Sequence, residues 1–169
     1  MKKKTELYLR NVIFGISDSL VSTVGLLAGI DVSGATRQGI ILTGIVYAFV
    51  EAFSMAVGSF LSEKSVEDYE SKNVREGGVG EQNAITASII MFVTFVVASF
   101  IPIVPYILFD LNTALWVSII LSVIALFIVG LVSAKITKSS MFAQAWKTAL
   151  LGGAAIGIGV LVGKFVKAG

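Results

Sequence analysis

Cysteine and histidine are both absent from the 169 residues. Without thiols or imidazoles the chain forms no disulfide, no thiolate or imidazole zinc site, and no Cys or His nucleophile; any bound metal is limited to oxygen and thioether ligands. Proline is scarce, at two residues, and Asp, Glu, Lys and Arg together make up only 14% of the chain, with a net charge of +2. That small basic excess is scattered among positions flanking apolar runs, which argues against a nucleic-acid surface. No G-x-x-x-x-G-K-[ST] phosphate loop is present for nucleotide hydrolysis, and no dense group of catalytic residue types suggests an enzyme.

What the chain has instead is apolar mass: 56% of residues are hydrophobic and the mean hydropathy is +0.90, above the usual share for soluble domains. Charges and turn residues divide it into apolar segments at 12–30, 39–61, 84–102, 113–134 and 146–165. Each approaches the ~20 residues that cross ~30 Å of hydrocarbon, where only a helix satisfies its own backbone. The expected fold is therefore an all-α membrane protein, one transmembrane domain over 1–169 with five transmembrane helices per protomer. The basic start Lys2, Lys3 and Lys4 looks like the n-region of a secretory signal, but the apolar run behind it is too long and four more follow.

Expected connectors are 31–34, 102–105 and 110–112, with Pro102 and Pro105 outside helix interiors. A short acidic cytoplasmic loop is expected over 62–82, opening on a helix-compatible stretch and closing on Gly77-Gly78-Val79-Gly80, a helix breaker. Ten Lys and Arg residues fall on the side of the N-terminus and of that loop, against Arg37, Lys164 and Lys167 on the other. The positive-inside rule then places the N-terminus in the cytoplasm. Gly153-xxx-Gly157 and Gly159-xxx-Gly163 have the spacing of closely approaching helices, serving either packing within a protomer or the seam of a homodimer.

Two acids, Asp18 and Glu51, lie inside the expected spans. A carboxylate at membrane depth costs roughly 2.5–3.5 kcal/mol on insertion scales, so it faces a partner, a cavity or a transported cation. At 1.5 Å per residue Asp18 and Met55 both fall ~10 Å from the cytoplasmic surface, with Glu51 one helical turn from Met55 and nearer the midplane. Carboxylate, thioether and carboxylate suit a borderline divalent ion, Fe²⁺ or Mn²⁺, as transported substrate with no resident cofactor. Ser22, one turn beyond Asp18, and Ser54, next to Met55, are pathway-lining candidates; the alternative for these and for Ser17, Ser19 and Thr23 is backbone and neighbour hydrogen bonding. Glu63, Glu67 and Glu70 recur at i, i+4 and i+7 and form either a metal-collecting face or a solvated one. Protons are a natural coupling ion, because metal binding requires deprotonated carboxylates.

The segments YLRNVIFGISDSLVSTVGLLAGI and EAFSMAVGSFLS resemble the vacuolar iron transporter family. Residues 14–21 follow a pattern like F-G-x-x-D-G-L-V, and residues 54–62 one like S-M-x-x-G-x-x-x-S. The resemblance implies a five-helix protomer, a homodimer with its pathway at the protomer interface, and proton-coupled export of Fe²⁺, often Mn²⁺, with metal-pathway roles for Asp18 and Met55. Ser19 replaces the family's Gly after the Asp. Tyr47 stands where members often place a Glu, and Glu51 is then a substitute one turn displaced. The short 62–82 segment marks a member lacking the family's long cytoplasmic metal-binding domain. A rival reading is a non-transporting membrane scaffold or sensor whose buried acids clamp helices. A compact chain without an organelle signal points to a prokaryotic plasma membrane rather than a vacuolar one.

Overall fold

The computed structural model describes residues 2–73, 81–137 and 140–168, all but the turns in five α-helices. These are α1 (Lys2–Ser33), α2 (Arg37–Asn73), α3 (Glu81–Leu108), α4 (Leu111–Thr137) and α5 (Met141–Ala168). Each contains a stretch long and apolar enough to cross a membrane. All five expected spans are present, and every one runs past its apolar core. α2 is the extreme case at 37 residues. In keeping with its helix-compatible opening, the first half of the acidic segment continues that helix to Asn73, carried by Glu, Lys and Ser; Ser65 folds its hydroxyl back onto the Leu61 carbonyl at 2.7 Å. The Gly77-Gly78-Val79-Gly80 breaker lies outside the described residues.

The turns explain where helices stop. Gly34, at φ +95°, ends α1: its N–H donates to Asp31 O at 2.9 Å and Ala35 N–H to Ile30 O at 3.3 Å, the paired bonds of a Schellman cap. Asp31 therefore belongs to α1, not to the connector. Thr36 caps α2, its hydroxyl oxygen accepting from Gly39 N–H at 3.2 Å.

The prolines correct the expected pattern, because Pro102 and Pro105 both lie inside α3. Each removes one backbone donor, and neighbouring helices bond the backbone around them, as membrane bundles do. Ser118 of α4 donates to Pro102 O at 2.8 Å, and Arg37 donates to Tyr106 O at 2.6 Å and to Ile107 O.

Asp110 caps α4. Its carboxylate accepts from Thr113 N–H at 3.2 Å and from the Thr113 hydroxyl at 3.1 Å. Those bonds hold its carboxyl below the usual carboxylate range. A depressed native value makes the stabilisation present at neutral pH and lost as pH falls through that value. Asp110→Ala should therefore lower the melting temperature at pH 7, and the difference from wild type should shrink on acidification, as followed by thermal unfolding in detergent. Asp110→Asn keeps an acceptor and should lose less.

α1 is the centre of the bundle. It packs most heavily on α5 and α3 and only lightly on α2, which leans on α3 instead. The α1–α5 contact is backbone on backbone: a Cβ at Gly159 would lie 2.0 Å from Gly25 O, and one at Gly163 would lie 2.0 Å from Gly29 O. The Gly159-xxx-Gly163 stripe thus packs within the protomer, against a matching Gly25-xxx-Gly29 on α1. Gly153 and Gly157 face open space. The α1–α3 contact carries buried hydroxyls: Ser19 donates to Phe95 O at 2.8 Å and shares a 2.8 Å bond with Ser99. Apolar side chains such as Val46, Val50 and Phe53 on α2, and Ile120 and Ile124 on α4, point outward, as a bundle solvated by lipid requires.

Candidate metal pathway

The light contact between α1 and α2 leaves a seam, and the chain's mid-bundle acids lie in it. Asp18 from α1 and Glu51 from α2 sit within electrostatic reach of each other, with Tyr47, one turn before Glu51, beside both. Both residues are partly exposed on the isolated protomer. Among the described residues, neither accepts a hydrogen bond from a side chain nor meets a cation. Ser22 returns its hydroxyl to Asp18 O at 2.6 Å and lies beside the Tyr47 hydroxyl. Tyr47, a departure from the family pattern, thus joins the acids.

One turn from Glu51 toward the end of the bundle that carries the N-terminus, Met55 and Ser54 line a cavity of about 570 Å³ between α1, α2 and α3. Ser54 therefore shares a space with the thioether. Ser22 instead lines a mostly apolar groove between α1 and α5, so the two serines do not meet in one cavity. Asn11 closes the first cavity toward α2, its side-chain oxygen accepting from Ser59 Oγ at 2.8 Å.

Arg10 stands at the rim of the same cavity and pairs with Glu63. The Glu63 side chain is only 8% exposed, against 65% for Arg10. Glu63 thus turns into the bundle, away from the solvated face that its spacing with Glu67 and Glu70 suggests. Glu67 is partly exposed; the Glu70 side chain lies outside the described residues. Among the described residues no three acidic side chains gather into a metal-sized group. A buried carboxylate left without its cation is costly, whereas a neutral replacement is not. Arg10→Ala should destabilise the protein by about 1–3 kcal/mol, and Glu63→Gln by less. Combining the two should recover part of the Arg10→Ala loss in chemical or thermal unfolding.

Two features are not legible in the sequence. Asp31 and Tyr106 form a pair near the opposite end of the bundle, side by side but without a well-formed bond; Asp31 Oδ2 and the Tyr106 hydroxyl are both buried. Tyr106 gave no signal in an apolar run, and Asp31 read as a turn residue beside Gly34. Ser19, which stands where the resembled family has Gly, is fully buried and bonds α3. That departure supplies an interhelical tie, and Ser19 and Thr23 fall to the structural side of the alternatives posed for the α1 hydroxyls.

Comparison with known proteins places the chain among relatives. A family model described as the VIT family matches residues 9–78 and 73–164, two pieces that meet in the polar segment after α2's apolar part. Vacuolar iron transporter homolog 5 of Oryza sativa is 28% identical over 160 residues, covering 89% of this chain and 76% of the relative. An uncharacterised protein of Methanocaldococcus jannaschii is 27% identical over 146 residues, covering 78% of this chain and 76% of the relative. Vacuolar iron transporter 1 of Arabidopsis thaliana is 22% identical over 215 aligned positions, covering 94% of this chain and 86% of the relative. That alignment is longer than the chain, so the Arabidopsis protein carries segments that this one lacks.

Proposed function

The chain belongs to the VIT family, and from that premise we propose that it moves a divalent transition metal, Fe²⁺ or Mn²⁺, out of the cytosol by proton antiport. It is an integral membrane protein of five helices. Relatives named as iron transporters span most of its length, which favours iron or a close neighbour as cargo.

The observation that carries the mechanism is the unengaged state of Asp18 and Glu51. Several polar groups elsewhere in the bundle are tied off: Ser19 to Phe95, Ser118 to Pro102, Glu63 to Arg10. The two seam carboxylates are not, which disfavours the scaffold reading, where they would clamp helices. Two carboxylates from different helices supply oxygen ligands and the charge a divalent ion requires. With the ion gone, the same oxygens take protons, because a metal site and a protonated site compete for the same lone pairs. Alternation between the two loads is antiport without ATP.

A seam open to lipid is an expensive place for carboxylates. We assign its cover to a second copy of the chain, giving a twofold dimer with the pathway between protomers. In this reading the N-terminal end of the bundle is cytoplasmic, Met55 selects for softer ions, Ser54 and Ser22 contribute hydroxyls along the route, and Glu67 and Glu70 gather cations ahead of it. Glu63 joins them only when a cation displaces Arg10. The membrane is assigned as a prokaryotic plasma membrane, in keeping with an archaeal relative over 78% of the chain.

Proteoliposomes with an acidic interior test the proposal. Mn²⁺ or Fe²⁺ should accumulate inside, Mg²⁺ should not, and a protonophore should abolish the gain. Accumulation indifferent to the pH gradient would remove the proton coupling, and none for either metal would remove the transport function.

A further inference from the structure

The cavity beside Arg10 brings sulfur from two helices to one space. Met55 lines it from α2, and Met91 lines it from α3. Only four methionines occur in the chain, at positions 1, 55, 91 and 141, and two of the three described ones line this cavity. Met91 is nearly buried, at 3% exposure, and its sulfur is held against α1: a Cβ placed on Gly15 would lie 3.2 Å from Met91 Sδ. Gly15 thus lets the thioether lie close against the helix that carries Asp18 one turn later.

The rest of the wall joins apolar Phe14 and Gly58 to neutral oxygen-bearing groups. The Asn11 side chain and the hydroxyls of Ser54, Ser59 and Ser62 line it, and the one charge at its rim, Arg10, is countered by Glu63. Among the described residues no carboxylate lines the cavity. Hard cations such as Mg²⁺ and Ca²⁺ bind through charged or strongly dipolar oxygen and gain little from sulfur. Soft cations gain from polarizable thioethers, which carry no proton to displace.

We infer that Met55 and Met91 together form a soft-cation site in this vestibule, one that holds thiophilic d-block ions ahead of the Asp18–Glu51 pair. Met91 is then a second selectivity ligand, contributed by a helix to which no metal role is otherwise assigned. The inference deepens the transport reading and rests on it only for the direction of travel; occupancy of the site is independent of transport.

Silver ion is the suitable probe, because a chain without Cys or His offers it thioethers as the only soft ligands. Titration calorimetry of the purified full-length protein in detergent should show one tight Ag⁺ per protomer. Met55→Leu and Met91→Leu conserve volume and should fold, and each should weaken that binding at least tenfold. Met141→Leu, at an exposed position outside the cavity, should leave it unchanged. Ag⁺ binding in Met91→Leu equal to wild type, or lost equally in Met141→Leu, would overturn the inference. Tight Ag⁺ binding that depends on Met91, in a protein that moves no Mn²⁺ or Fe²⁺ in proteoliposomes, would uphold the site and defeat the transport reading alone.

Discussion

Asp18→Asn and Glu51→Gln should each reduce metal uptake into proteoliposomes by on the order of 10- to 100-fold while leaving the protein folded. The size follows from the loss of a charge-assisted ligand, worth about 1.5–3 kcal/mol. Folding should survive because neither carboxylate is held by a side-chain hydrogen bond or an ion pair among the described residues, so no clamp is lost. A neutral amide in the same place also relieves the cost of a charge at membrane depth, so the melting temperature should hold or rise. Initial uptake rates and thermal unfolding, measured on the same preparations, separate this outcome from the scaffold alternative. There, both substitutions would lower the melting temperature, and metal would not shift that of the wild type.

The second large effect is structural. Gly159→Val places a side chain where the Gly25 carbonyl already lies 2.0 Å from an ideal Cβ, and neither partner is a flexible side chain that can yield. The helices must separate along the whole α1–α5 contact, which includes Gly29 against Gly163. Overpacking ordinarily costs about 1–3 kcal/mol; against backbone it should exceed that range and leave little monodisperse protein in size-exclusion chromatography. Gly153→Ala and Gly157→Ala meet nothing within 4 Å. Ala is the better helix former by roughly 1 kcal/mol, so neither change should harm the protomer. The two glycine pairs look alike in sequence, and this contrast tells them apart.

Much of this was legible in the chain. Five helices follow from the length and spacing of the apolar runs, because a bilayer leaves the backbone no other choice. Asp18 and Glu51 stood out because charge inside such runs is costly. What was hidden depends on contacts between distant positions. Glu63 reads as a solvated acid until Arg10, 53 residues away, is seen beside it. Pro102 and Pro105 read as breaks, yet Ser118 and Arg37 supply donors to the end of α3 that contains them. Asp31 reads as a turn residue because the Schellman cap at Gly34 comes only three residues later. Met91 reads as packing, which is what methionine in an apolar helix usually does; only the cavity it shares with Met55 suggests more. The acidic 62–82 segment shows its helix-compatible opening in the sequence, and that opening extends α2 to Asn73.

Transport by this route requires the seam between α1 and α2 to be a wet passage reaching Asp18 and Glu51. Because the native chain has no cysteine, single substitutions Ser22→Cys, Tyr47→Cys and Ser54→Cys report on water access without background. A membrane-impermeant thiol reagent should modify each of them in vesicles, with Mn²⁺ slowing the reaction at Tyr47→Cys, while Ile120→Cys on the outer face of α4 should stay inert. Reaction at the seam no faster than at Ile120→Cys, with or without metal, would contradict the passage and the mechanism built on it.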